Sequence, residues 1–250
     1  MNQTCGRLKD AMRVEVISGI SEARSDEFVH KTAVIIDVLR ATSNMVTALA
    51  FGSSGVAPVE TVQQAVSVRR EEDLLGGERN CRRIPGFDLG NSPFEYMESY
   101  ISGRRVVMTT TNGTRAIQKS LKARHVLAAS LLNARACAEA VWELRKDVMV
   151  LCSGTQDNFS LEDGLGAGFL LQELAVLADG KLELNDFGKA MLECSLSLKD
   201  RLEETLLACA NGVRLTKLGY RDDVLYCARL NQYNLVPVLK DGQLVRYALS

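Results

Sequence analysis

Short β-branched or apolar runs alternate with stretches of helical period along almost the whole chain. This alternation constrains the fold more than any other feature. Repeated strand–helix–strand units build a mostly parallel sheet flanked by helices, the α/β class. The clearest strands are expected at Val14 to Ile17, Ala33 to Val38, Gly55 to Val59, Arg105 to Thr109, His125 to Ala129 and Val148 to Cys152. Shorter ones are expected near Val224 to Cys227 and Val236 to Leu239. Helices are expected over Ser43 to Ala50, Val62 to Glu72, Pro93 to Ile101, Thr114 to Leu121, Ala134 to Arg145 and Leu161 to Leu177, and largely over Asp186 to Ala210. No Pro-rich or Ser/Gly-rich linker divides the chain, so residues 13–250 read as one compact unit behind an N-terminal extension, residues 1–12. A strand ending near Asp37 and another ending at Cys152 each run into a polar loop and a helix. That faint internal echo leaves two similar lobes open.

Charge narrows the choice of partner. The 30 basic and 31 acidic residues give a formal net charge of -1, and the basic ones are scattered. No nucleic-acid stripe or polybasic membrane patch results, so a small molecule is the expected partner. The seven cysteines form no CxxC pair, which argues against a disulfide framework or a structural zinc site. The polar first dozen residues lack the apolar core of a signal peptide, and no apolar run reaches the roughly 18 residues that span a bilayer. A cytoplasmic location is expected. A homo-oligomeric state is left open.

In open parallel sheets, strand C-termini and helix N-termini form the ligand crevice, because free helical N–H groups and the helix dipole point there. Four polar segments fall at such places. The first is Asp37 to Ser43, after the apolar run Ala33 to Ile36. A carboxylate ending such a strand suits a hard metal, and Arg40 suits a phosphate oxygen. The same residues read equally as an Asp37–Arg40 ion pair with Thr42 or Ser43 as helix cap. The second segment holds Glu78 and Arg79, then Gly86 to Glu95. There Ser92 to Glu95 fits a capping box with Pro93 at the first helical position, while the glycines and Asn91 let backbone approach an anion.

The third segment, Thr109 to Arg115, is a hydroxyl-rich strand-to-helix loop whose Thr111, Asn112, Gly113 and Thr114 form a candidate phosphate or sulfonate cradle. The fourth joins Ser153, Gly154 and Thr155 to Ser160 through Gly168. Ser160 to Asp163 again fits a capping box, and Gly164, Gly166 and Gly168 form a small face for helix packing. Two adjacent acids, Glu162 and Asp163, exceed what a cap needs, and either can reach a metal. The GxGxG here is not a dinucleotide fingerprint.

Absent residues remove rival chemistries. His30 and His125 are the only histidines, no cysteine has an arginine six positions on, and Asp37 lacks a second Asp two residues later. Histidine, cysteine and phosphoaspartyl phosphatases, and a Ser-His-Asp hydrolase, are thereby disfavoured. No GxxxxGK[ST] loop is present either. Carboxylates with a metal remain.

Taken in order, the motifs IDVLRAT, GERN, GFDLGNSP, TTTNGTRA, LLNA, SGT with a later ED, and the LG, DD and VP pairs near the C-terminus resemble the 2-phosphosulfolactate phosphatase (ComB) family from about Val14 to Val238. Ser43-Asn44, Ser153 and Gly166 depart from the family's more usual residues. The resemblance implies a ComB-like α/β fold and Mg²⁺-dependent hydrolysis of (R)-2-phospho-3-sulfolactate to 3-sulfolactate and phosphate. It suggests Asp37, Glu78 and one of Glu162 or Asp163 as metal ligands. Arg40, Arg79 and Arg115 would divide the phosphate, sulfonate and carboxylate, with Asn91, Thr111 to Thr114, Ser153 and Thr155 completing the site. Water activated by the metal is the expected nucleophile, and direct attack by Asp37 is the competing chemistry. A non-catalytic or differently specific binder of small phosphorylated or sulfonated acids is the alternative function.

Overall fold

The computed structural model describes residues 11–247, so most of the expected N-terminal extension lies outside the described residues. Strand β1 (Met12–Ile17) already includes the last residue assigned to it. The other strands are β2 (Thr32–Ile36), β3 (Gly55–Pro58), β4 (Leu74–Arg79), β5 (Arg82–Arg83), β6 (Arg105–Thr109), β7 (His125–Ala129), β8 (Val148–Cys152), β9 (Leu182–Leu184), β10 (Pro237–Lys240) and β11 (Gln243–Arg246). Among the described residues they form one sheet in the order β5-β4-β6-β3-β11-β10-β7-β2-β8-β1-β9.

This order places β2 and β8 at the centre of a five-stranded parallel block, β7-β2-β8-β1-β9. Every residue of Thr32–Ile36 and Val148–Cys152 is buried, as expected of strands covered on both faces. A second parallel block, β4-β6-β3, lies at the other end. The antiparallel hairpin β10–β11 joins the two, with β10 on β7 and β11 on β3. The sheet is therefore mixed but mostly parallel, and one apolar core runs across both blocks. A smaller cluster, including Ala57, Leu75, Phe87 and Val107, lies beside the second block.

Helices α1 (Ala41–Ala50), α2 (Val62–Val68), α3 (Gly113–Lys119), α4 (Ala134–Leu144) and α5 (Leu161–Leu177) follow strands or strand-end loops. They are joined by α6 (Asp186–Leu198), α7 (Leu202–Ala208), α8 (Ala210–Lys217) and α9 (Arg221–Cys227). α1 packs across β7, β10, β11 and β3, whereas α5 packs on β2 and β8 between α4 and α6. The expected small face of α5 serves this packing: Gly164 and Gly168 meet Met191 of α6, and Gly166 meets Ile36 and Val38. α7, α8 and α9 pack on one another. No helix of the described residues is long and apolar enough to cross a membrane.

Three expectations are corrected. The run Val224 to Cys227 ends helix α9 rather than forming a strand. Four apolar residues do not distinguish the two states, and the preceding Asp222 and Asp223 supply the acidic first turn of a helix. Pro93 to Ile101 is not one helix but two short 3₁₀ turns, Pro93–Tyr96 and Ser99–Ile101. The third correction is Leu74–Arg79, where no strand was expected but which pairs in parallel with β6. Gly77 permits this at φ 144°, where a Cβ would lie 1.9 Å from the Thr109 carbonyl oxygen.

Candidate active site

The C-terminal ends of β2, β4, β6 and β8 open onto one cavity of about 60 Å³. Its wall is supplied by Asp37 and Arg40 from the β2–α1 junction, Glu78 from β4, Thr110, Thr111 and Asn112 ahead of α3, Thr155 after β8, and Asn91. Asn211 and Arg214 of α8 close it from above the strand ends. Segments distant in sequence thus converge: β2 and β8 are neighbours in one parallel block, and β4 and β6 in the other.

The junction after β2 is tied by its own hydroxyls. Thr42 Oγ1 donates to the Asp37 carbonyl (2.9 Å) and accepts the Asp37 N–H (2.9 Å), while Ser43 Oγ donates to the Val38 carbonyl (2.8 Å). Asp37 Oδ1 accepts the Ala41 N–H at 3.1 Å. The Gly113 N–H also bonds the Asp37 carboxylate. Only glycine fits at 113, since a Cβ would lie 2.6 Å from that of Ala41 and 2.9 Å from Asp37 Oδ2.

Arg40 does not pair with Asp37. Its Nη1 donates to Asp223 Oδ2 at 2.5 Å, and its guanidinium stacks 4.5 Å from the Tyr220 ring centroid. Both ion-pair partners are buried. Asp223 also accepts Ser92 Oγ at 2.9 Å, so Ser92 braces the clamp instead of capping a helix. Glu95, its supposed capping partner, takes the Gly90 N–H. Asn91 is fixed by Asn44, whose Nδ2 donates to the Asn91 carbonyl (2.9 Å) and Oδ1 (2.7 Å).

The four expected metal ligands, Asp37, Glu78, Glu162 and Asp163, are 2–7% exposed. Asp37 and Glu78 reach the cavity wall, while Glu162 and Asp163 stand behind it. Glu78 Oε1 accepts the Thr111 N–H (2.9 Å) and hydroxyl (2.7 Å), and Oε2 accepts the Cys81 N–H (2.7 Å). Asp163 accepts the Val38 N–H (2.8 Å) and the Gly154 N–H (2.9 Å), bracing β2 against β8 rather than completing a capping box. Glu162 Oε1 accepts Asn211 Nδ2 at 2.6 Å, and that amide also donates to Thr155 Oγ1 at 2.6 Å.

These acids repel one another. Burial, then the charges of Glu78 and Glu162, hold the Asp37 carboxyl up at about 7 against the Ala41 and Gly113 N–H groups. Burial followed by the Asp37 and Glu162 charges raises Asp163 well above the carboxylate range. Buried like charges that shift each other in this way suit a hard divalent cation with oxygen ligands. Among the described residues, no three acidic, histidine or cysteine side chains form a ready-made ligating cluster. Of the four acids Asp37 and Glu78 reach the cavity wall, and two carboxylates with waters completing the shell would suit Mg²⁺. Cys81 also lines the cavity, but burial raises its thiol pKa, which disfavours a thiolate nucleophile.

Of the remaining expected residues, Asn91, Thr111, Asn112 and Thr155 line the cavity, and Gly113 touches Asp37. Thr114 turns inward to Thr110, its Oγ1 donating to the Thr110 carbonyl at 3.0 Å. Ser153 is buried outside the wall, with no partner for its hydroxyl among the described residues. Arg79 is not brought in: its guanidinium donates to the Glu78 carbonyl (2.7 Å), the Glu60 carbonyl (3.0 Å) and Thr109 Oγ1 (2.9 Å). Arg115 is exposed and lies 3.9 Å from Asp157, on a different depression. Sequence reasoning missed Asn211 and Arg214, which carry no motif, and gave no role to Asp223, although it belongs to the DD pair of the resemblance.

A small cavity at strand ends, with carboxylates, hydroxyls and an arginine on its wall, is suited to a small anionic molecule. A sequence model of the family described as 2-phosphosulpholactate phosphatase matches residues 19–242. The chain belongs to that family. It is 43% identical over 225 residues to a probable 2-phosphosulfolactate phosphatase of Symbiobacterium thermophilum, covering 88% of this chain and 96% of that protein. A protein of the same description from Carboxydothermus hydrogenoformans is 39% identical over 238 residues, covering 94% and 97%. Another, from Thermotoga petrophila, is 42% identical over 212 residues, covering 85% and 90%.

Proposed function

We propose that the chain is a Mg²⁺-dependent phosphatase that hydrolyses (R)-2-phospho-3-sulfolactate to 3-sulfolactate and phosphate. The observation that carries this reading is the meeting of Asp37 and Glu78 with the Thr110, Thr111 and Asn112 loop in one small cavity. Family membership along residues 19–242 supports the phosphomonoester chemistry and the substrate.

Asp37 and Glu78 would hold the cation, with Glu162 and Asp163 adding negative charge from behind. Mg²⁺ bound there would supply Lewis-acid polarisation of the phosphoryl oxygens. The Thr110 hydroxyl and the neighbouring backbone orient the phosphoryl group. Arg40, fixed by Asp223 and Tyr220, stabilises the negative charge of the transferring group with its remaining donors. Water is the favoured nucleophile, because the Ala41 and Gly113 N–H groups already occupy the Asp37 carboxylate and lower its nucleophilicity. A substrate carrying phosphate, sulfonate and carboxylate does not cross bilayers unaided, which supports a cytoplasmic site of action.

Incubating the chain and Mg²⁺ with a panel of 2-phospho acids, followed by ³¹P NMR, tests the assignment. The sulfonated acid is expected to be the best substrate, and equal hydrolysis of all members would remove the substrate assignment. Binding without hydrolysis of any member would replace the enzyme with a small-anion binder.

A further inference from the structure

Beside the catalytic cavity lies a wider groove of about 620 Å³, between the β4–β5 hairpin and α8. Asn80 and Arg214 belong to both walls, so the two spaces are contiguous. The groove is lined by four cations, Arg79, Arg82, Arg214 and Lys217, and by no acid. Arg79 is committed to the Glu78 and Glu60 carbonyls and to Thr109. Arg82, Arg214 and Lys217 have no hydrogen bond or ion pair among the described residues.

This arrangement is costly without a partner. Arg79 and Arg82 stand directly opposite each other on the two-stranded ribbon, where like charges repel. Asn80 and Cys81 turn the ribbon at φ 56° and 64°, pointing that pair of strands toward α8. Inward of the groove the sign reverses, with Asp37 and Glu78 on the cavity wall. A cationic vestibule before an acidic, cation-binding floor draws in polyanions and separates their charges by depth. The inner cavity, far narrower than the groove, suits a phosphoryl head and leaves the rest of a three-carbon acid projecting outward.

We propose that this groove is a second anion subsite, which gathers the incoming substrate and holds its non-reacting sulfonate between Arg214 and Lys217 while the phosphoryl group occupies the inner cavity. The inference rests on the function proposed above and adds to it the residues that select a second acidic group. Arg82 acts at longer range, on capture.

The test is steady-state kinetics of the R82E/K217E variant on (R)-2-phospho-3-sulfolactate and on 2-phospholactate, which lacks the sulfonate, at low and high ionic strength. For the sulfonated substrate kcat/KM is expected to fall about tenfold or more at low salt, with the gap narrowing as salt screens the groove. The value of kcat is expected to stay within about twofold, and 2-phospholactate to lose clearly less. The neutral R82Q/K217Q pair should lie between, and it decides the matter if the reversed pair does not fold. Equal losses on both substrates, an unchanged salt dependence, or a fall in kcat matching that in kcat/KM would overturn the subsite. If the wild-type chain hydrolyses no 2-phospho acid, the functional reading falls and the groove is judged by calorimetric binding of 3-sulfolactate. Weaker binding to R82E/K217E than to wild type supports the subsite, and equal binding overturns it.

Discussion

Asp37 combines two demands that conflict. The proposed function requires it to hold a cation, yet burial and the neighbouring Glu78 and Glu162 hold its carboxyl up at about 7. An aspartate raised on folding destabilises the folded state once the unfolded chain ionises, because the native state then binds more protons. The folded state therefore loses stability as pH rises from about 4, where an ordinary aspartate titrates, to about 7. Cation binding needs the ionised form, so added Mg²⁺ should raise the melting temperature more at pH 8 than at pH 5. Equal shifts at both pH values would contradict this. Arg40 makes a different prediction, since its clamp to Asp223 is buried. Asp223→Ala leaves a buried cation unpaired and should cost about 3–5 kcal/mol in urea unfolding. Replacing both partners together, Arg40→Met with Asp223→Leu, should cost clearly less. Residue chemistry was partly legible in the sequence: Asp37 follows from the strand-end rule, whereas Glu78 drew notice only as a carboxylate outside any helical pattern, and its strand was not expected. Side-chain direction was not. Glu78 and Arg79 are consecutive in one strand, so they face opposite sides, and both cannot enter the same cavity.

Elements were legible where their pattern was strong. β2 and β8 are buried apolar runs, and α5 follows its periodicity to the expected ends, Leu161–Leu177. The second parallel block was harder to see, because β4 contains two glycines and two charged residues and takes its identity from pairing with β6. The C-terminal hairpin shows the same limit. Its Asp241-Gly242 turn, at φ 50° and 77°, is a strong local hairpin signal. Nothing local indicates that β10 must meet β7 while β11 meets β3. Because this hairpin alone connects the two parallel blocks in the sheet order, truncation before Pro237 should abolish the single cooperative unfolding transition. Persistence of one sharp transition, with native near-ultraviolet circular dichroism, would show that the blocks hold together without it. α8 supplies Asn211 and Arg214 to the site from a helix whose sequence resembles any surface helix. Only the packing of α7, α8 and α9 over the strand ends brings them there.

At the scale of the whole molecule, chain topology sorts charge by depth. Strand ends from both parallel blocks and the start of α5 bring four carboxylates together, and backbone N–H groups from neighbouring loops fix three of them: Asp37, Glu78 and Asp163. The hairpin after β4 and the helices after α6 then set cations around the mouth. Net charge near zero conceals this separation, which is why composition indicated a small-molecule partner without locating it. The central claim is that the acid floor works through Mg²⁺ at Asp37. It is tested by phosphate release from (R)-2-phospho-3-sulfolactate across a Mg²⁺ titration, comparing the wild-type chain with Asp37→Asn. Wild-type turnover should rise saturably with Mg²⁺ and vanish with chelator, while Asp37→Asn should lose on the order of 10²–10³-fold in kcat and still unfold cooperatively. Full turnover in chelator, or an Asp37→Asn variant as active as the wild type, would contradict the account.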